Sequence, residues 1–353
     1  MEAGKVLHVM HAEKFIEPFI EFVEDNFDDF ECRHIFFVWG DVSKFCIKSR
    51  FNLRNSNKRR IDQLKYVFSM AAALQKAEKI ILHGLFVRWH LMLLSLMPWN
   101  LKKCYWVIWG GDLYTYKLSK RSLGWWKSEL FRRFVIKRIG HFITHIEGDY
   151  NLAQQWYGAK GEWHECFMYP SNLYQESTIR LLPHESINII LGNSADSSNN
   201  HIDALNKLKC YSGENIKIYC PLSYGDQLHA QMVADYGRSL FGEKFIPLRE
   251  FMPLEKYNEL LAKIDIAIFN HKRQQGMGNI TTLLGVGAKV YLSSAITTWE
   301  FLWSLGLKVF DVSVIDLSPI ESKISKRNAL IASEYFSRGN LISQLSSIFG
   351  KIL

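Results

Sequence analysis

The chain has 353 residues, 48% hydrophobic and 22% charged, a composition that provides for two packed cores and excludes a disordered or fibrous protein. Its net charge of +8 and pI near 9.0 favour anionic partners, which could be nucleic acid, an anionic membrane surface or phosphorylated small molecules. Six cysteines without a C-x-x-C pair read as free thiols in a reducing compartment, and the longest uncharged apolar run, residues 89–101, is too short to cross a bilayer.

The opening Lys5-Val-Leu-His-Val-Met-His11 predicts a strand rather than a signal peptide. Short apolar strands then alternate with helical patterns, at Val6–Met10, Ile35–Trp39, Lys79–His83, Cys104–Trp109, Phe142–Ile146 and Glu165–Tyr169, with helices such as Lys14–Phe27 and Arg60–Lys76 between them. That alternation predicts a doubly wound parallel sheet over residues 1–175. The polar stretch Pro170–Pro183 reads as a linker, and the alternation restarts at Ile187–Leu191, Ile216–Cys220, Phe245–Leu248, Ile264–Phe269, Lys289–Leu292 and Lys308–Phe310. A second Rossmann-like domain is expected over 184–327, with C-terminal helices over 328–353 that cross back to the first domain. The fold class is α/β, two parallel-sheet domains facing across a cleft, and ligands of such sheets bind beyond the carboxyl ends of the strands.

Three strand ends in the first half set an ionisable residue beside glycine: His83-Gly84, Gly110-Gly111-Asp112 and Glu147-Gly148-Asp149. A hydroxyl nucleophile must lose its proton as it attacks, so Asp112 and His83 are the leading candidates for a general base, with Asp149 and Glu147 behind them. The alternative is that Asp112 or Asp149 caps the helix that follows.

In the second half, Ile187–Leu191 runs into Gly192-Asn193-Ser194-Ala195-Asp196-Ser197-Ser198-Asn199-Asn200-His201. Small polar residues at a helix start offer N–H groups and hydroxyls to an anion. Ile264–Phe269 similarly leads through Arg273, Gln274 and Gln275 to Gly276, Gly278 and a helix from about Asn279, and no acidic residue lies between Asp265 and Glu300. A strand, a glycine turn and a helix start suit a diphosphate, although neither dinucleotide fingerprint nor P-loop is spelled out. Metal-ligand spacings and a G-x-S-x-G elbow are missing, so a metal-independent, cofactor-free mechanism is expected. The segment Lys117–Arg138 carries eight basic residues among Trp125, Trp126, Phe131 and Phe134, which suits anionic headgroups or a half-buried helix with a basic rim.

At Trp109-Gly-Gly-Asp-Leu-Tyr114, Gly192–Leu205 and Arg273-Gln-Gln-Gly-Met-Gly278, with His83-Gly84 in support, the sequence resembles the TDP-N-acetylfucosamine:lipid II N-acetylfucosaminyltransferases, glycosyltransferase family 56 of the GT-B class. The resemblance spans nearly the whole chain. It implies a TDP-activated 4-amino-4,6-dideoxy sugar as donor and an undecaprenyl-diphosphate-linked saccharide as acceptor, at the cytoplasmic face of the inner membrane. Carried over, Gly192, Asn193, Ser194, Asp196, Ser198, Asn199, His201, Arg273, Gln274, Gln275, Gly276, Gly278 and Asn279 form the nucleotide-sugar side. His83 and Asp112, with Gly110, Gly111 and Asp149, face the acceptor. The family's loops more often read W-G-A-D and N-S-G-D-R-S-N-E-H, so Ala195, Ser197 and Asn200 depart from it; this leaves the sugar and acceptor open, with O-antigen synthesis beside enterobacterial common antigen. If the reaction inverts, Asp112 is the base; if it retains, Asp112 binds sugar. Two rival readings are a nucleotide-sugar-modifying enzyme, which would need a glycine turn after the first strand that Val9–Lys14 does not provide, and a basic nucleic-acid-binding module, for which no reader motif is present.

Overall fold

A computed structural model describes residues 4–56, 60–174 and 185–350. The chain divides into two compact units, one drawn from Met1–Ser171 and Arg338–Leu353, the other from Asn172–Ser337. Most of the polar stretch expected as a linker, residues 175–184, lies outside the described residues.

The first unit is built on seven strands: β1 (Val6–His11), β2 (His34–Trp39), β3 (Leu53–Asn55), β4 (Lys79–His83), β5 (Cys104–Val107), β6 (His141–Ile143) and β7 (Glu162–His164). They form one parallel sheet in the order β3-β2-β1-β4-β5-β6-β7. The second unit has β8 (Ile187–Leu191), β9 (Ile216–Pro221), β10 (Phe245–Leu248), β11 (Ile266–Phe269), β12 (Lys289–Leu292) and β13 (Phe310–Asp311), parallel in the order β10-β9-β8-β11-β12-β13. Central strands covered by helices on both faces read as unbroken apolar runs, as Ile266-Ala-Ile-Phe269 does, every residue of it buried. Pro247 is tolerated because β10 is an edge strand.

Two strands differ from the sequence expectation. The run Glu165–Tyr169 is buried from Cys166 onward but is not a strand, because Met168 takes φ +59 and turns the chain; the edge strand lies earlier, at Glu162–His164. The three-residue edge strand β3 is too short to show a period.

In each sheet the chain order reverses beside its first strand, between β1 and β4 and again between β8 and β11. Connections leave such a pair in opposite directions and open a crevice beyond the two carboxyl ends.

The C-terminal stretch is shared between the units. In the helix Ser322–Tyr335, Asn328 holds the second unit by accepting from the Lys308 amide (2.9 Å) and donating to its carbonyl (2.8 Å). The helix Arg338–Phe349 belongs to the first unit and buries Leu341, Leu345, Ile348 and Phe349. The Phe349 ring lies 4.8 Å from His34 and 5.3 Å from Phe27, Arg33 donates to the Phe349 and Gly350 carbonyls, and Lys79 donates to that of Ile348. Among the described residues no helix is long and apolar enough to cross a membrane.

Candidate active site

In the second unit the loops after β8 and β11 meet at the reversal point. Gly192 opens the first with φ +70, and a Cβ there would lie 2.8 Å from His201 Nε2 and 2.9 Å from Asn199 Oδ1, so only glycine fits. Asp196 caps the short turn Ser197–Asn199 by accepting from the Ser198 amide (2.8 Å) and hydroxyl. Asn199 is the buried centre: its Oδ1 accepts from the Asn193 amide (2.9 Å) and its Nδ2 donates to Ser194 Oγ (3.1 Å) and the Asp196 carbonyl (3.0 Å). The β11 loop is laced to it. His271 Nε2 lies 3.1 Å from Asn199 Oδ1, the Lys272 amide donates to the Ser198 carbonyl (2.8 Å), and Ser198 Oγ lies 2.8 Å from the Gln275 side-chain amide. Gly276, at φ +73, turns the chain into the helix Met277–Gly285, where a Cβ would crowd Asn193 at 3.2 Å.

That helix has no side-chain cap, so its first amides are left to an outside acceptor. Around it lie buried polar atoms without a hydrogen-bond partner: Gln275 Nε2, Gln274 Oε1, Asn193 Oδ1 and His201 Nε2. Buried polar groups are nearly always satisfied, so these atoms have bonding capacity to offer a polar ligand. Arg273 adds positive charge, its guanidinium 3.5 Å from Asp196 Oδ2 and bonded to the Gln274 carbonyl (3.1 Å). Burial raises the Asp196 carboxyl, but the Ser198 hydroxyl and amide and the Arg273 charge outweigh it and hold the group below its ordinary pKa. Burial brings His201 and His271 to about 3, which keeps both neutral. Gly278 lies in the first helical turn, and Asn279 donates to the Tyr257 hydroxyl (2.9 Å). Asn270, His271 and Lys272 belong to this constellation although the sequence reading passed over them; their signal was a polar run placed directly at the end of a buried strand.

In the first unit the structure points away from both leading base candidates. Asp112 is fully buried; Oδ1 accepts from the Trp109 and Leu113 amides (both 3.0 Å), and Oδ2 accepts from the Leu85 amide (2.9 Å) and the Trp106 indole (2.7 Å). Four donors fill its lone-pair positions, so it fastens the loops after β4 and β5 together and has none left for an acceptor hydroxyl. Burial lifts its pKa against the pull of those donors and of Arg132, which itself donates to the Asp112 and Leu85 carbonyls. His83 is equally enclosed. Its Nδ1 meets the Tyr169 hydroxyl (2.7 Å), its Nε2 meets His8 Nδ1 (3.1 Å), and His8 Nε2 continues to His34 Nδ1 (2.9 Å). Burial brings His83 to about 3, so it is a neutral member of a core network. Asp149 is buried near the Tyr114 hydroxyl (3.4 Å), and Glu147 is exposed beyond β6. Gly110 and Gly111 form the turn after β5, their carbonyls accepting from the Tyr114 amide (2.8 Å) and the Thr115 hydroxyl (3.0 Å).

The sequence reading searched the segment after β1 only for glycine and so missed what stands there. At the β1/β4 reversal point His11 and Glu13 lie side by side, His11 Nε2 4.0 Å from Glu13 Oε1, and the His11 ring packs 4.8 Å from Phe86 and 5.1 Å from Trp109. Among the described residues, one group has metal-ligand geometry: His141, Glu162 and His164, whose donor atoms lie within 4.8 Å of one another. It sits on β6 and the edge strand β7, away from the β1/β4 reversal point.

The model of the family described as 4-alpha-L-fucosyltransferase, glycosyl transferase group 56, matches residues 20–323. The chain belongs to glycosyltransferase family 56. As a family 56 glycosyltransferase it has the GT-B fold, and solved structures similar to it include a glycosyltransferase from Rickettsia africae (12% identity, 99% of this chain and 98% of that one, TM-score 0.67). Anabaena HepE in complex with UDP-glucose matches at 12% identity over 97% of this chain and 98% of that one, TM-score 0.68. The N-terminal domain of Candida albicans trehalose-6-phosphate phosphatase matches at 11% over 98% and 96%, TM-score 0.65. At these identities the likeness is one of fold. Membership of family 56 displaces both rival readings, the nucleotide-sugar-modifying enzyme and the nucleic-acid module.

Proposed function

We propose that this family 56 enzyme moves a 4-amino-4,6-dideoxy sugar, such as 4-acetamido-4,6-dideoxygalactose, from TDP to an undecaprenyl-diphosphate-linked oligosaccharide in O-antigen or enterobacterial common antigen synthesis. The observation that carries the donor half is the pair of laced loops at the β8/β11 reversal point, with unpartnered polar atoms beside an uncapped helix start. The leaving diphosphate rests on the first amides of Met277–Gly285, on Gln275 Nε2 and on Arg273, fixed dipoles and a charge that do the work of a divalent ion. TDP, rather than another nucleotide, rests on the resemblance of the Gly192–His201 and Arg273–Gly278 strings. Calorimetry with TDP, UDP and GDP tests the donor class. TDP should bind at least tenfold tighter than the others; a preference for UDP or GDP would remove the TDP assignment, and no binding of any would remove the donor site.

Contact with the membrane is supported by the helix Leu123–Ile136, on which Leu123, Trp126 and Leu130 are exposed at 82%, 49% and 68% at spacings of three and four. Arg121 stacks over the Trp125 and Trp126 rings at 4.9 and 5.9 Å, and Lys120 and Lys127 extend the basic rim. Apolar side chains ringed by cations suit the interface of an anionic leaflet. Arg132 and Arg133 are spent internally, Arg133 on Glu129 (3.2 Å), so the basic count of the whole segment overstates its surface charge. Changing Leu123, Trp126 and Leu130 together to serine is expected to lower the partition coefficient onto vesicles of phosphatidylglycerol and phosphatidylethanolamine at least tenfold, since burial of each large apolar side chain contributes about 1.5–3 kcal/mol. Unchanged co-sedimentation would remove this face as the docking surface.

A further inference from the structure

We propose that Glu13 is the general base that deprotonates the acceptor hydroxyl, in a subsite walled by His11, Phe86 and Trp109. The inference rests on the transferase reading above and supplies what that reading lacks, a proton acceptor in the first unit.

The argument is one of position and of elimination. An open parallel sheet binds its ligand beyond the strand ends that flank the reversal of chain order, which here are those of β1 and β4. Among the described residues of the first unit, the carboxylates that closely follow strands are Glu13, Asp41, Asp112, Glu147, Asp149 and Glu165, the last beyond the edge strand β7 and far from the reversal. Asp112 and Asp149 are buried, Asp112 with every lone pair engaged. Asp41 follows β2 and caps its own turn, accepting from the Ser43 amide (3.2 Å) and hydroxyl, and Glu147 follows β6, two strands from the reversal. Glu13 alone of these stands at the reversal point, with a side chain 37% exposed.

Its surroundings fit a sugar. Phe86 is 41% exposed, its ring 5.6 Å from Trp109, and Phe15 lies 5.8 Å from the same indole. The Trp109 Nε1 donates to the Tyr169 hydroxyl (2.8 Å), which fixes the indole plane. A rigid aromatic wall beside a partly exposed carboxylate is a surface on which the C–H face of a pyranose packs while a hydroxyl reaches the carboxylate. Around this carboxylate stand His11, which burial brings to about 4, and behind it His83 and His90, each brought to about 3 by burial. All three are neutral near pH 7, so no histidine cation faces Glu13 there.

In the transfer, the acceptor oxygen bonds to the anomeric carbon as that carbon's bond to the β-phosphate oxygen breaks. The nucleoside diphosphate leaves with the electron pair. The hydroxyl proton passes to a Glu13 carboxylate oxygen and from there to water. His11, neutral and 4.0 Å away, lines the subsite beside the carboxylate.

The test compares the parent protein with Glu13→Gln and Glu13→Asp in the full chain, measuring TDP release from a TDP-linked 4-acetamido-4,6-dideoxy sugar with a short-chain prenyl-diphosphate disaccharide as acceptor. TDP binding by calorimetry and the thermal midpoint are followed in parallel. Glu13→Gln should lower kcat ~10²-fold or more with TDP affinity and midpoint unchanged, and Glu13→Asp should recover part of the loss, since positioned proton transfer contributes at least that factor. Turnover of Glu13→Gln within tenfold of the parent, with TDP binding intact, overturns the role of Glu13 and leaves the transferase reading standing. A parent that binds no TDP overturns the donor reading and this inference with it, and one that binds TDP but releases none from this donor overturns the sugar and acceptor assignments together with the base.

Discussion

Arg273→Ala is expected to lower kcat by about 10²- to 10³-fold while weakening TDP binding only about tenfold. Charge builds on the departing diphosphate as the glycosidic bond breaks, and a fixed cation placed for that moment stabilises the transition state more than the bound substrate. Arg273 is suited to this because both of its partners are already in place: Asp196 of the β8 loop at 3.5 Å and the Gln274 carbonyl of its own loop at 3.1 Å hold the fork before any nucleotide arrives. Arg273→Lys keeps the charge but loses the planar pair of donors, and should fall between the two. Steady-state kinetics beside calorimetry separate the effects; equal losses in kcat and affinity would show that the residue merely binds nucleotide, and a loss in kcat below about tenfold would remove it from the reaction.

Asp112→Ala should act on stability. The change leaves the Leu85, Trp109 and Leu113 amides and the Trp106 indole without an acceptor and removes one of the two carboxylates, with Glu129, whose charge acts on buried Arg132. Removing one side of such a network costs about 3–5 kcal/mol. In a unit of this size that corresponds to a fall of roughly 6–20 °C in the melting transition at 2–4 °C per kcal/mol. Differential scanning calorimetry reads it directly. A variant that melts with the parent but no longer turns over would restore Asp112 as a chemical participant and sink its reading as a fastening.

The two cases show where a one-dimensional reading carries and where it stops. The β8 and β11 loops were legible because their information is local: a buried apolar run, then small polar residues or a glycine, then a helix. Gly192 and Gly276 occupy the left-handed backbone that such turns require. The fates of His83 and Asp112 depend on residues remote in sequence. His83 is silenced by His8 and Tyr169, which strand register and a turn at Met168 bring to it, and Asp112 by the Leu85 amide from the loop after β4 and by Arg132 from a helix further on. A residue beside glycine at a strand end therefore carries no mark of whether it faces inward. Glu13 was passed over for the complementary reason, since its importance comes from the sheet order, which sets β4 beside β1 while β2 and β3 go to the other side.

The helix Arg338–Phe349 has a bearing on how the protein is made. Its Phe349 ring fills a place against His34 and Phe27, and Arg33 grips the carbonyls of Phe349 and Gly350, so the unit begun first on the ribosome gains these contacts only after residue 349 has been added. During synthesis the whole chain of the second unit is thus made while its older neighbour still lacks this last packing element.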